Sequence, residues 1–279
     1  MTTPPRITRT TAPPAAGMVH LGPGAFFRAF IAPYTDEAIG AGSVYGEDWG
    51  IIAVSLKSPT AREALVPQGC LYTALERGPD GDTLRQVEAI TDVLVAPEDP
   101  LAVLDTMARP EIRVVSLTIT EKGYCHNPRN GSLRTDHPDV AHDIATSDAP
   151  RTALGFLVLA LSRRREAGIP PFTVLCCDNL PANGAMLRRL VTELAGQRDS
   201  ASFSAGLANW IETHVAFPST MVDRITPATT AADLEDFATI SGSYDPALVI
   251  HEPFRQWVIE DNFPPVSYTH LTLPTTTIV

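Results

Sequence analysis

Met18-Val19-His20-Leu21-Gly22-Pro23-Gly24-Ala25-Phe26-Phe27 is the stretch on which the fold turns. A short apolar run over 18–21 is cut by Gly22-Pro23-Gly24. Beyond it, Phe26, Phe30 and Tyr34 recur every four residues, the spacing of one helix face, and this predicts a helix over 25–39. A strand that enters a helix through a glycine turn is the opening of a βαβ unit.

The same alternation continues outward. Residues 49–56 (WGIIAVSL) are continuously apolar rather than alternating, as in a strand covered on both faces. Two strands, 71–75 and 84–90, flank the turn Gly78-Pro79-Asp80-Gly81. A helix is predicted over 98–108, a buried strand over 113–120 (RVVSLTIT), and helices over 138–146 and 151–167. The last is bracketed by Pro150 and Gly168. Residues 172–177 (FTVLCC) read as a strand, and 183–195 and 206–214 as helices. Strands alternating with helices predict an α/β fold, a doubly wound and mostly parallel sheet with helices on both faces. No internal repeat or linker divides residues 18–264, which are expected to form one domain. Residues 1–17, rich in Thr, Pro and Ala, are expected to be a disordered leader. Residues 265–279 (VSYTHLTLPTTTIV follows Pro265) carry no formal charge and no helical period. They resemble a translated adapter and are set aside as a non-native-looking tail.

Bulk properties narrow the partners. The chain has 279 residues, 44% of them hydrophobic, and a formal charge of −11, which leaves no basic face for a nucleic acid backbone. The one basic run, Arg163-Arg164-Arg165, reads as a solvated helix face. The leader lacks the apolar core of a signal peptide, and no stretch approaches the ~20 apolar residues of a membrane span, so a cytoplasmic protein without a membrane partner is expected. Cys70, Cys125, Cys176 and Cys177 form no C-x-x-C pair and read as reduced core thiols; Cys176 and Cys177 point to opposite sides of a strand. His137 and His142 are five apart rather than four, so the Cys125, His126, His137, His142 region predicts no metal site.

The glycine turn carries the first chemical signal. Leu21-Gly22-Pro23-Gly24-Ala25-Phe26 stands where backbone N–H groups and the dipole of a helix start favour a pyrophosphate, and glycine permits the tight turn and close approach. The pattern is G-x-G-x-x-F, so Phe26 or Phe27 replaces the third glycine of the dinucleotide fingerprint. The second strand ends Ser55-Leu56-Lys57-Ser58, without the acid that binds the adenosine ribose. NAD is the expected cofactor, and NADP stays open beside it.

HLGPGAFFRAF, DWGIIAVSLKSP, VSLTITEKGYCHNP, PPFTVLCCDNLPANG, HVAFPSTMVDRITPAT and HEPFRQWVIEDNFP follow one another in an order that resembles the mannitol dehydrogenase family, across roughly residues 18–264. The resemblance implies a Rossmann-type domain and a zinc-independent NAD(P) oxidoreductase. Such enzymes interconvert a secondary alcohol of a sugar alcohol or aldonate (D-mannitol or D-mannonate type) and the matching ketone. It also implies a helical second domain that supplies a general-base lysine in a K-x-x-x-x-N-x-x-H segment. The only lysines here, Lys57 and Lys122, do not stand in such a segment. The chain is therefore expected to be a truncated fragment of such an enzyme, without the helical domain and its catalytic lysine; a catalytically inactive NAD(P)-binding module is the alternative expectation.

By resemblance, Gly22, Gly24 and Arg28 belong to the nucleotide loop. Glu121 of TITEKGY is a carboxylate near the reacting centre, and Asn179 of CDNLP and Asp223 of MVDRI face nicotinamide and substrate. Ordinary roles compete with these: Asp178 or Asn179 as a helix cap, Glu121 as a solvated loop acid, Asp223 as a partner of Arg224 or Arg255. Phe27 and Phe30 stand where family members commonly have His, and Thr60 where some place a ribose-binding acid.

Overall fold

The computed structural model describes residues 4–41, 48–79, 81–200 and 205–264; the tail set aside above falls, from residue 265 on, outside them. In chain order, β1 (Ala16–Leu21) leads into α1 (Ala25–Ala29) and α2 (Ile31–Gly40), then β2 (Gly50–Ser55) and α3 (Thr60–Leu65). A hairpin of β3 (Tyr72–Gly78) and β4 (Gly81–Val87) precedes β5 (Ile90–Val95), α4 (Pro100–Ala108) and β6 (Val114–Leu117). Next come α5 (Pro138–Ala145), α6 (Ala153–Glu166), β7 (Thr173–Cys176), α7 (Asn183–Ser200) and α8 (Leu207–His214). The described chain ends with β8 (Thr220–Asp223), α9 (Ala231–Ser241), β9 (Val249–His251) and β10 (Gln256–Ile259).

The central sheet has the order β5-β2-β1-β6-β7, and every pairing in it is parallel. β1 connects to β2 on one side, while the chain later crosses to β6 on the other. The reversal of strand order therefore falls between β1 and β6, where ligands of open α/β sheets bind beyond the strands' carboxyl ends. All six residues of β2 are buried, as a strand covered on both faces requires. Val19, Leu21, Val54 and Leu117 pack on one face with Leu104, Phe156 and Leu190 of the helices. Met18, Ile51, Ala53 and Val114 pack on the other with Phe27, Ile31 and Tyr72. Cys176 and Cys177 divide between these two cores, and all four cysteines are buried free thiols. Thus the α/β, doubly wound architecture is as expected.

Several local expectations are corrected. The helix expected over 25–39 breaks at Phe30 (φ −128°, ψ −73°). Pro33 explains the break: it has no N–H to give the carbonyl four residues back, and its ring collides there. Restarting at Ile31 puts Pro33 in the first turn of α2, where it is tolerated. The carbonyl so released, on Ala29, accepts from the Arg224 guanidinium at 2.6 Å. The single strand expected over 84–90 is two, in different sheets. The chain changes sheets at Glu88 and Ala89, whose backbone is taken by Asp36 (2.7 Å) and Ile51 (2.8 Å). The two strands expected around the 78–81 turn pair as the antiparallel hairpin β3-β4, while β9, which extends that hairpin to a three-stranded sheet, and an antiparallel ribbon, β8 with β10, lie outside the expected elements.

Residues 4–17 are not a free leader. Ile7 donates to the Tyr244 carbonyl (3.1 Å), and Arg9 donates to the carbonyls of Gly69 (2.7 Å), Glu88 (2.6 Å) and Ile90 (2.8 Å). Nor is Arg163-Arg164-Arg165 wholly a solvated face. Arg164 is buried and donates to the carbonyls of Met107, Arg109, Ile112 and Pro170. Its cation lies where the carbonyls at the end of α4 point, which is favourable.

Candidate functional site

The site is framed by the turns after β1, β6 and β7. Gly22 has φ +94°, and a Cβ there would collide with the Thr118 carbonyl oxygen, so only glycine fits. Gly22 N–H donates to Val54 (3.0 Å), and Thr118 N–H donates to the Leu21 carbonyl (3.0 Å), which knits β2, β1 and β6 together at their ends. Pro23 is buried, whereas Gly24 is exposed and an added Cβ would meet nothing nearer than 4.0 Å. Gly24 caps α1, and Arg28 N–H returns to its carbonyl at 3.2 Å. The amides of Ala25, Phe26 and Phe27 precede that first helical hydrogen bond and are left without an acceptor inside the helix. The turn thus presents open backbone donors beside an open glycine, a geometry that fits a dinucleotide's pyrophosphate.

The aromatic side chains of this segment turn inward. Phe26 stacks on Phe30 (5.0 Å), and Phe27 stacks on His20 (3.8 Å between centroids). Arg28 gives its carbonyl to the Tyr72 hydroxyl (2.6 Å). Burial lowers its guanidinium pKa, and the nearby Tyr72 and Asp245 oppose the drop. At the end of β2, Lys57 and Ser58 are exposed, and the Ser58 hydroxyl meets that of Thr60 at 3.2 Å. Arg62 is already committed to Glu98.

The turn after β6 is strained. Thr120 has φ +65° and ψ 160°, a conformation that costs a residue other than glycine about 1–3 kcal/mol. Asp178, at the end of β7, holds it there. Its carboxylate accepts from the N–H of Ile119 (2.9 Å), the N–H of Thr120 (3.2 Å) and the hydroxyl of Tyr124 (2.6 Å). Glu121 is exposed at the start of the following 3-10 turn, with its carboxylate 3.9 Å from the His126 ring Nε2. Asn179 is exposed next to Asp178. The turns bearing Glu121 and Asn179 are therefore brought together by Asp178, which caps the β6 turn and not α7.

Asn183 is the residue that sequence reasoning missed here. Fully buried, it donates to the carbonyls of Cys176 (3.2 Å), Asp178 (3.0 Å) and Thr220 (3.0 Å) and accepts from Thr220 N–H (2.9 Å). It fastens the start of β8 to the end of β7. Four residues on, Arg224 reaches Ala29 at the α1–α2 break. β8 therefore runs across the carboxyl edge of the sheet, from β7 towards α1. Asp223 lies on its exposed face opposite Gln256, next to the directly opposed pair Met221 and Val258, and Ile225 and Phe254, two residues beyond Asp223 and before Gln256, are exposed as well. Neither arginine considered earlier pairs with Asp223: Arg255 binds Glu37 (2.7 and 2.8 Å), and Arg224 faces Glu76 (3.6 Å).

His137 caps α5 and His142 binds the Ala149 carbonyl. Among the described residues no group of three or more His, Cys, Asp or Glu could hold a metal, and no helix is long and apolar enough to cross a membrane. A cavity of about 470 Å³ lies apart from the three turns. It is lined by Arg188, Arg189, Glu193 and Glu212, which pair with one another.

A parallel sheet with its switch point between β1 and β6, and a glycine turn open towards that crevice, define a dinucleotide-binding domain of the Rossmann class. Residues 16–268 match the family model described as the mannitol dehydrogenase Rossmann domain, and the chain belongs to that family. It is 45% identical over 250 residues to mannitol 2-dehydrogenase of Cereibacter sphaeroides, covering 89% of this chain and 50% of the relative. It is 44% identical over 250 residues to D-mannonate oxidoreductase of Escherichia coli (strain K12), covering 88% and 50%. Among solved structures, Pseudomonas fluorescens mannitol 2-dehydrogenase in ternary complex with NAD and D-mannitol superposes with TM-score 0.84 at 43% identity, covering 90% of this chain and 50% of that one. The chain spans about half the length of these relatives.

Proposed function

We propose that this chain is the dinucleotide-binding domain of an NAD-dependent oxidoreductase that interconverts a sugar alcohol or aldonate, of the D-mannitol or D-mannonate type, and its keto form. The observation that carries this reading is the 22–24 turn at the switch point, with Gly22 packed on Thr118 and Gly24 open to solvent. The relatives named for mannitol and mannonate chemistry, and the solved one bound to NAD and D-mannitol, support it. Bound NAD would supply the hydride acceptor for the carbinol carbon.

The residues of this chain hold and orient. The 22–24 turn and the amides after it receive the pyrophosphate. Asn179 stands at the carboxyl end of β7, where the nicotinamide half would lie, and Glu121 stands beside it to take part in proton handling. Asp223 supports the substrate side from the exposed ribbon face, whose apolar neighbours call for a covering surface. The general base is not Lys57 or Lys122. The family's lysine segment is to come from polypeptide beyond these residues, so these residues by themselves bind dinucleotide without turnover.

Titration of the purified chain with NADH and NADPH by nicotinamide fluorescence, followed by assays of mannitol and mannonate oxidation, tests both halves of the reading. Binding without oxidation is the expected result. Absence of binding would overturn the dinucleotide assignment. Oxidation at a rate comparable to a full-length relative would overturn the claim that the base lies elsewhere. The ratio of NADH to NADPH affinity reads out what the acid-free end of β2 prefers.

A further inference from the structure

We propose that the His20 ring is a positioning residue for the dinucleotide turn: acting through Thr118, it holds the Gly22 carbonyl inward and so sets the geometry on which the pyrophosphate lands. This rests on the dinucleotide-binding reading above.

His20 lies in β1, fully buried, with its ring stacked on Phe27 at an interplanar angle of 11°. Its Nδ1 is 2.8 Å from the Ser116 hydroxyl; its Nε2 is 2.9 Å from the Thr118 hydroxyl and 3.2 Å from the Gly22 carbonyl oxygen. Hydrogen counting fixes the roles. Thr118 has a single hydroxyl proton and gives it to the Gly22 carbonyl at 2.9 Å. Facing the hydroxyl's lone pairs, Nε2 must therefore carry the ring proton and donate. Nδ1 is left as acceptor, and the Ser116 hydroxyl donates to it. Burial drives the ring's pKa down to about 3, so it is neutral at physiological pH, as this pattern needs.

Two donors thus converge on one oxygen, because Gly24 N–H also reaches the Gly22 carbonyl, at 2.7 Å, beside the Thr118 hydroxyl that the His20 ring holds in place. An outward carbonyl would set a negative oxygen against an incoming phosphate. Drawn inward, it leaves the N–H groups after Gly24 as the face the anion meets. Position 22 tolerates little movement, since Gly22 already lies against the backbone of Thr118. The β6 side is fixed in turn: Asp178 grips the two amides that follow Thr118. His20 is therefore the post between the cofactor turn and the β6 turn.

Calorimetric titration with ADP-ribose, which carries the pyrophosphate, and with adenosine, which does not, separates positioning from general damage. His20→Phe keeps the ring stack and loses both hydrogen bonds; Thr118→Val keeps the shape and loses the hydroxyl. Each is expected to weaken ADP-ribose binding about tenfold and to leave adenosine binding within about twofold. Thr118→Ser restores the hydroxyl and is expected to bind ADP-ribose within about twofold of the parent chain. The double variant is expected to be no worse than about tenfold, since both changes cut one connection. If His20→Phe does not fold, the Thr118→Val and Thr118→Ser pair decides the matter alone. ADP-ribose affinity unchanged in Thr118→Val, or ADP-ribose and adenosine weakened alike, overturns the proposal while leaving the dinucleotide reading intact. Failure of the parent chain to bind ADP-ribose overturns both.

Discussion

The carboxylate of Asp178 accepts the backbone N–H of Thr120 at 3.2 Å, across the junction between β7 and β6, and Thr120 is held with φ +65°. A strained residue persists only where its surroundings over-determine it. Asp178 does so with three acceptor contacts, to Ile119, Thr120 and Tyr124. The placement of Glu121, one residue further on, depends on this grip.

Removing the grip should therefore be costly. Asp178→Ala leaves two amides and a buried tyrosine hydroxyl without their acceptor, and is expected to destabilise the chain by about 2–4 kcal/mol. Asp178→Asn keeps one acceptor oxygen and is expected to lose about half as much. Urea unfolding of the two variants checks this. Equal stability of Asp178→Ala and the parent chain would show that the β6 turn holds its shape unaided.

The two glycines of the cofactor turn should respond in opposite ways. Gly22→Ala meets the Thr118 carbonyl and an unfavourable φ, and is expected to lower stability by more than about 2 kcal/mol. Gly24 faces open space, so Gly24→Trp is expected to shift the thermal midpoint by less than about 2 °C. Its bulk should nevertheless abolish NADH binding by occupying the approach to the turn. Thermal unfolding and fluorescence titration separate the two effects. Unchanged NADH affinity in Gly24→Trp would mean that the turn is not the pyrophosphate site.

The pH dependence of stability should carry the signature of His20. Its folded pKa is depressed to about 3, below the ordinary value of 6.5, because burial disfavours the charged ring. Between those values the unfolded chain binds the proton and the folded chain does not. Stability is therefore unaffected by this group above pH 6.5 and is lost as pH falls from 6.5 towards 3, with a slope approaching about 1.4 kcal/mol per pH unit. His251, also depressed by burial and by Arg224, acts in the same direction. Denaturant unfolding of the parent chain and His20→Phe between pH 7 and 4.5 isolates the His20 share. Parallel curves for the two would rule it out.

Sequence alone determined the alternation of strands and helices, the glycine turn after the first strand and the family. These are local signals: continuous apolar runs mark strands covered on both faces, and Gly22-Pro23-Gly24 can only punctuate. Glu121, Asn179 and Asp223 are candidates through motif resemblance, and the structure sets the first two on adjoining turns. Tertiary structure alone decided how they are held. Asp178 carried the prospect of capping a helix and instead caps the neighbouring turn. His20 was one residue of an apolar strand until Ser116 and Thr118, nearly a hundred positions away, closed its hydrogen bonds. The break at Phe30 had its cause in Pro33, but what occupies the released Ala29 carbonyl is Arg224, 195 positions distant. Buried polar groups must find partners wherever the packed chain offers them, and such partners leave no period or spacing in the sequence.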